Sequence, residues 1–231
     1  MKKLDKFKKV CYLANQHLKK KKLVAQSFGN VSIRLEKIIL IKPSGINLST
    51  IDYKSIVPVN IVDKKYKGTL KPSSDTPTHI ELYKNYKSIK SVVHTHSPYA
   101  TSWAQAGLPI PCFGTTHADF WENEIPITRK LEKKEVETDY EKNTAIVIIE
   151  SLTRLNTHPQ KCPGILVNNH GVFTWGKSPQ DAIQNAEAIE IIAKMAFNSL
   201  LLNPEIKPIS KNLHNKHFHR KHGENKYYGQ K

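Results

Sequence analysis

The chain has 231 residues, with 36 Lys plus Arg against 20 Asp plus Glu, a formal charge of +16 at pH 7, 39% hydrophobic and 8% aromatic residues. That apolar content suits one globular domain spanning residues 1–231 and excludes a disordered chain. The clean apolar run Ala145 to Ile149, which no other run exceeds, falls well short of the roughly 18 residues a membrane-spanning helix needs, so no membrane partner is expected.

Met1 to Val10 is charged throughout and lacks the apolar stretch of a secretory signal. Cys11, Cys112 and Cys162 are odd in number and form no C-x-x-C. They indicate neither a disulfide framework nor a thiolate zinc site, and the expectation is a reduced, cytoplasmic chain. Arg34, Arg129, Arg154 and Arg220 are the only arginines, the remaining basic residues being Lys. Nucleic-acid sites lean on Arg for bidentate contacts, so no nucleic-acid partner is expected. The charge reads as a solvated surface with a residual attraction for phosphorylated small molecules.

In chain order, Leu4, Phe7, Val10, Cys11, Ala14 and Leu18 recur at helical spacing and predict an amphipathic first helix over 4–18. Glu36 to Lys42 reads as a buried strand closed by the turn Pro43-Ser44-Gly45. Thr76-Pro77 opens a helix to about Tyr86, with proline at the first helical position. Val92 to His96 is a short strand, and Ser97-Pro98 starts a helix that Gly107 stops. Ala145 to Ile149 fits a strand or a helix, with helix preferred. Ile165 to Val167 and Val172 to Trp175 form a hairpin around Asn168 to Gly171, and Ser178-Pro179 caps a long helix to about Leu202. The Lys- and His-rich tail from about 204 to 231 keeps its aromatics and stays with the domain. The sum is an α/β fold in which helices pack on a central sheet.

His94 and His96 are two apart on a predicted strand, so both imidazoles leave one face. His170, in a Gly-bounded turn, can reach the same point. Three neutral imidazoles with an open fourth position make a catalytic rather than a structural zinc shell, and Asp75 is a candidate fourth ligand. On residue types alone, a pair of hydrogen-bonded structural histidines is an equal alternative. Gly29-Asn30, Ser44-Gly45 and Ser73-Ser74 set short polar side chains beside backbone N–H groups, as a phosphate cradle does, with Lys42 and Lys71 next to two of them. Taken singly, each is more often an ordinary turn. Gly171 to Ser178 satisfies the pattern G-x-x-x-x-G-K-S. Its Val, Phe, Thr and Trp suit a strand, and Pro179 removes an N–H where phosphate donors are wanted, so it is not read as a nucleotide site.

Several blocks together carry a resemblance. They are Phe28-Gly-Asn-Val-Ser32, Ile41-Lys-Pro-Ser-Gly45, Lys71-Pro-Ser-Ser-Asp-Thr-Pro-Thr-His79, Val93-His-Thr-His-Ser97, Trp103-Ala-Gln-Ala-Gly107, Gly114-Thr-Thr-His-Ala-Asp119, Asn169-His-Gly171, Arg220-Lys-His-Gly223 and Tyr227-Tyr-Gly-Gln230. The chain resembles the L-ribulose-5-phosphate 4-epimerase branch of the class II aldolase and adducin-head family over nearly its full length. Phe28 stands where that branch has Trp, and Ala145 where it has Gly.

The resemblance implies a three-layer α/β/α domain with a mainly antiparallel sheet, zinc, and a homotetramer whose active sites lie at subunit interfaces. It also implies a function, the interconversion of L-ribulose 5-phosphate and D-xylulose 5-phosphate by retro-aldol cleavage of C3–C4, a step shared by pentose and ascorbate catabolism. A sugar-phosphate aldolase that releases the fragments is the alternative. By the same resemblance, His94, His96 and His170 with Asp75 hold the metal. Gly29, Asn30, Ser44, Gly45, Ser73 and Ser74 hold phosphate, with Lys42 beside them. Asp119 and Tyr228 are the acid/base pair, reaching the site across a subunit boundary. Thr115, Thr116, Glu141 and His217 lie near it. Aspartate rather than glutamate at 75 favours the epimerase branch over the fuculose-phosphate aldolases. His79, His117, His214, His219 and His222 are expected to be solvated or supporting.

Overall fold

A computed structural model describes residues 3–224 and 226–228. Its framework is a six-stranded sheet, β1 (Asn30–Leu35), β2 (Ile38–Ile41), β3 (Val57–Asn60), β4 (Ser91–Thr95), β5 (Gly164–Val167) and β6 (Gly171–Gly176), in the order β3-β2-β1-β4-β6-β5. Every pairing within it is antiparallel. Among the described residues eight α-helices surround it: α1 (Lys3–Lys20), α2 (Thr76–Asn85), α3 (Pro98–Ala106), α4 (Thr115–Ala118), α5 (Lys133–Glu137), α6 (Tyr140–Arg154), α7 (Pro179–Leu202) and α8 (Lys211–His222).

Alternation along the strands divides the sheet into two faces. On one, Ile39, Ile41, Val57, Val59, Val92, Ile165, Phe173 and Trp175 bury against Ile80, Leu82 and Tyr83 of α2 and Ile148 and Leu152 of α6. On the other, Val31 and Val93 meet Ala14 and Leu18 of α1 and Ala182, Ile183 and Ala186 of α7. Ile33 and Leu40 meet Cys11 on that same side. The three-layer expectation is therefore met, and the apolar stretch 145–149 is helical, within α6. Gly107 stops α3 in the left-handed conformation, φ 72°.

Four features depart from the sequence reading. β1 was hidden because Asn30 and Ser32, which face α2, break its apolar pattern. The strand placed at Glu36–Lys42 begins at Ile38, because Glu36 turns the chain at φ 57° between β1 and β2. β3 contains Pro58, which suits its position at the sheet edge. The tail forms α8, capped by Ser210 and stapled inward by buried His214 and Phe218. The G-x-x-x-x-G-K-S stretch is strand β6 leading into α7 and offers no phosphate loop.

Candidate active site

His94 is the penultimate residue of β4, His96 directly follows the strand, and His170 stands in the β5–β6 turn. Their ring centroids lie 4.8 to 5.1 Å apart. One ligand nitrogen from each falls within 4.8 Å of the others. Two local features make this convergence possible. Asn169 takes a left-handed φ of 58°, and Gly171 has no room for a side chain, since a Cβ would sit 2.7 Å from the Thr95 carbonyl and 3.4 Å from His94 Cε1. Phe173 stacks flat on His94 at 4.2 Å.

The donors fit a divalent metal. His94 Nδ1 donates to the Val172 carbonyl at 2.9 Å, so its proton is spoken for and Nε2 offers a lone pair. That Nε2 lies 3.0 Å from Nε2 of His96, a separation that needs a proton or a cation between the two nitrogens. Nδ1 of His170 meets the Tyr140 hydroxyl at 3.2 Å, leaving its other nitrogen for the cluster. Burial, then the neighbouring His94, lowers His96 to about 4 and His170 to about 3, so both are neutral, as metal ligands must be.

Asp75 stands beside this group without belonging to the mutually close donor set, which among the described residues is His94, His96 and His170. Its carboxylate accepts from Asn30 Nδ2 at 2.6 Å and from Ser73 Oγ at 3.4 Å. Burial works to raise its pKa, but His94, His79 and the Asn30 bond outweigh that and hold it below the usual carboxylate range. Asp75, the candidate fourth ligand, flanks the three histidines.

The phosphate candidates are gathered on the same side. Pro43 and Pro72 form an antiparallel bridge that joins the 42–45 and 71–74 segments. That bridge uses two of the N–H groups expected to hold phosphate, since Ser44 donates to Lys71 O and Ser73 to Lys42 O. The next residues, Gly45 and Ser74, are exposed and give their N–H to no protein acceptor among the described residues. Asn30 Nδ2 also reaches Ser73 Oγ at 3.2 Å. Gly29 is fixed at φ +73°, with the His94 carbonyl 2.7 Å from where a Cβ would be. The Lys42 ammonium is buried and donates to Ser27 O at 2.9 Å; desolvation lowers its pKa and Asp75 counters that. Glu141, in the first turn of α6, neighbours Tyr140, and its carbonyl accepts from Thr78 Oγ1.

Asp119, Tyr228, His217, Thr115 and Thr116 gather elsewhere. Asp119 follows α4, whose first turn holds both threonines. Its Oδ1 accepts from Arg220 Nε at 3.1 Å and lies 3.1 Å from His217 Nδ1, while its Oδ2 accepts from Arg220 Nη2 at 2.8 Å. Asp119 and Tyr228 line an open cleft of about 1420 Å³ together with Ser88, Ile89, Gly176 and Lys177. Those four flank the start of β4 and the end of β6, whereas the histidines lie at the end of β4 and the start of β6. At about 3.3 Å per residue, the two ends of β4 are more than 10 Å apart. Within one chain, the acid/base candidates and the histidine cluster occupy opposite ends of the central strands.

Sequence reasoning missed Tyr140, which has no motif around it. Of the histidines read as solvated or supporting, His79, His117 and His214 are buried rather than solvated, at 0%, 2% and 9% exposure.

Residues 9–197 match the class II aldolase and adducin N-terminal domain family. The chain belongs to that family. Among solved structures, an L-fuculose 1-phosphate aldolase is similar at 20% identity, with 91% of this chain and 93% of that one covered and a TM-score of 0.75. YgbL of Escherichia coli is similar at 23% identity, covering 93% and 99%, with a TM-score of 0.74. A sugar-phosphate aldolase from Thermotoga maritima is similar at 20% identity, covering 87% and 95%, with a TM-score of 0.63. These likenesses establish the fold. Among the described residues no helix is long and apolar enough to cross a membrane.

Proposed function

We propose that this chain is a metal-dependent epimerase that interconverts L-ribulose 5-phosphate and D-xylulose 5-phosphate. The observation that carries the reading is the convergence of His94, His96 and His170 beside Asp75 and the bridged 42–45 and 71–74 loops. His94, His96 and His170 would hold a divalent metal, zinc in the first instance, which would supply Lewis-acid stabilisation of the negative charge left on the substrate when C3–C4 breaks. The C4–H bond is not acidic, so cleavage and re-addition is the reasonable route to inversion there.

The chain's own groups have distinct tasks in this reading. Gly45, Ser74, Asn30 and Ser73 grip the phosphate, with Lys42 adding positive charge, while the glycolaldehyde phosphate fragment turns its other face. Asp75, held by Asn30, sits against the reacting end as a fixed carboxylate. Inversion also needs groups to remove and return the C4 hydroxyl proton on opposite sides, and Asp119 and Tyr228 are the candidates.

Because those two lie at the far end of the sheet from the histidines, the complete site forms between copies. A closed homo-oligomer, in which each interface sets one end of a protomer's sheet against the opposite end of its neighbour's, brings the two half-sites together. A homotetramer satisfies that requirement. A sugar-phosphate aldolase is the second reading, favoured by the names of two of the similar structures.

The test is to supply L-ribulose 5-phosphate to zinc-loaded protein, with a chelated aliquot alongside. Metal-dependent formation of D-xylulose 5-phosphate without free glycolaldehyde phosphate is the expected result. Accumulating fragments support the aldolase instead.

A further inference from the structure

Arg220 contacts both members of the proposed acid/base pair, through different parts of itself. Its guanidinium donates to both oxygens of Asp119, at 3.1 and 2.8 Å, in the fork geometry a carboxylate matches best. The same guanidinium lies 4.6 Å from the centroid of the Tyr228 ring. Its backbone carbonyl accepts from the N–H of Tyr227 at 3.0 Å and of Tyr228 at 3.1 Å, which brings the tail back over α8.

Helical spacing explains the convergence. His217, Arg220 and Lys221 stand at i, i+3 and i+4 on α8 and turn to Asp119 together. His214, one turn earlier, meets the Trp121 carbonyl at 3.0 Å, and His222 meets the Asp119 carbonyl at 2.9 Å. Asp119 is therefore enclosed, its side chain 12% exposed, while Tyr228 remains 56% exposed. Tyr228 has little packing of its own to set its position.

We propose that Arg220 is a positioning residue that holds Asp119 and Tyr228 as one unit, fixing the carboxylate with its fork and the tyrosine with its carbonyl and its guanidinium face. The inference rests on the functional reading above and deepens it: the pair is presented to a neighbouring copy already assembled. Among the described residues, the charged or titratable groups that face Asp119 are Arg220, His217 and Lys221 from α8, with the Tyr228 ring beyond them. Arg220 is the one whose two nitrogens engage both oxygens.

The test uses full-length, metal-loaded protein with Arg220→Met, Arg220→Lys and, as the assignment reference, Asp119→Asn. Carbon-13 NMR of the Asp119 carboxyl needs no substrate. In Arg220→Met its midpoint is expected to rise by about one pH unit or more. With L-ribulose 5-phosphate, kcat is expected to fall about 100-fold with KM nearly unchanged, because the loss is in the placement of proton-transfer groups. Arg220→Lys keeps the charge without the fork or the flat face, and is expected to lie between.

An unmoved carboxyl midpoint overturns the proposal, and so does full kcat in a folded Arg220→Met. A loss confined to KM also overturns it, by making Arg220 a substrate-binding group. Should Arg220→Met fail to fold, Arg220→Lys decides: unchanged kcat and midpoint overturn the proposal. If the parent protein converts no L-ribulose 5-phosphate, the functional reading falls, and the NMR titration alone decides whether Arg220 holds Asp119.

Discussion

Asn30 and His94 are direct partners across the β1–β4 ladder, so the residue that holds Asp75 and the first histidine of the cluster leave the same face of the sheet. Rigid strand pairing, rather than loop placement, thus sets the carboxylate against the imidazoles. Replacing Asn30 by Ala leaves a half-buried carboxylate without its shortest bond. The expected loss is about 1.5–3 kcal/mol of stability, the range for hydrogen bonds to charged groups. Activity should fall more than a purely structural loss explains, and thermal melts beside kinetics on the same preparation would separate the two.

Gly171 admits no side chain between the Thr95 carbonyl and the histidines. Gly171→Ala should cost about 1–3 kcal/mol by overpacking. Because the displaced atoms belong to His94, His96 and the strand between them, the variant should also bind metal more weakly. Zinc content after dialysis against a known free-metal concentration checks this.

Tyr140 meets Nδ1 of His170 and so fixes which nitrogen faces the cluster. Tyr140→Phe removes that contact while keeping the ring. Metal affinity should drop about 10-fold or more, as it does when such supporting bonds are lost. A competition titration with a chromophoric chelator would show it, and an unchanged affinity would dismiss the role.

Four histidines carry lowered values in the fold: His79 and His170 about 3, His96 and His117 about 4, in each case chiefly through burial. Their unfolded value is near 6.5. Between about pH 6.5 and pH 4 the unfolded chain therefore binds protons that the folded chain does not, and stability falls as pH falls. The metal-free protein should melt progressively lower across that window. Bound metal adds a further acid-sensitive term, since protonated imidazoles release it. Melting curves at pH 7, 5.5 and 4.5, with and without zinc, test both statements.

Much of this site was legible in the sequence because its parts lie in short, distinctive blocks. Histidines two apart at a strand end, and small polar residues beside glycine and proline, place themselves once strand and turn are located. The rest depends on contacts between distant segments. Nothing in the residues around Tyr140 shows that it meets His170, thirty positions on. The N–H groups of Ser44 and Ser73 looked free for phosphate until the Pro43–Pro72 bridge used them. β1 escaped notice for a functional reason: Asn30 and Ser32 face α2 with polar side chains where a buried strand would be apolar. His79, read as solvated or supporting, is fully buried rather than solvated, with Nδ1 2.7 Å from Ser32 Oγ.

The central claim is that two half-sites at opposite ends of the central strands become one site between copies, and subunit mixing tests it most directly. Purified His94→Ala and Asp119→Asn proteins, each inactive alone, would be unfolded and refolded together in equal amounts with zinc, then assayed with L-ribulose 5-phosphate. The account predicts that activity returns in the mixture, because some interfaces pair an intact histidine cluster with an intact Asp119. A mixture as inactive as its components, with mixed oligomers demonstrated by differential tagging, would contradict it.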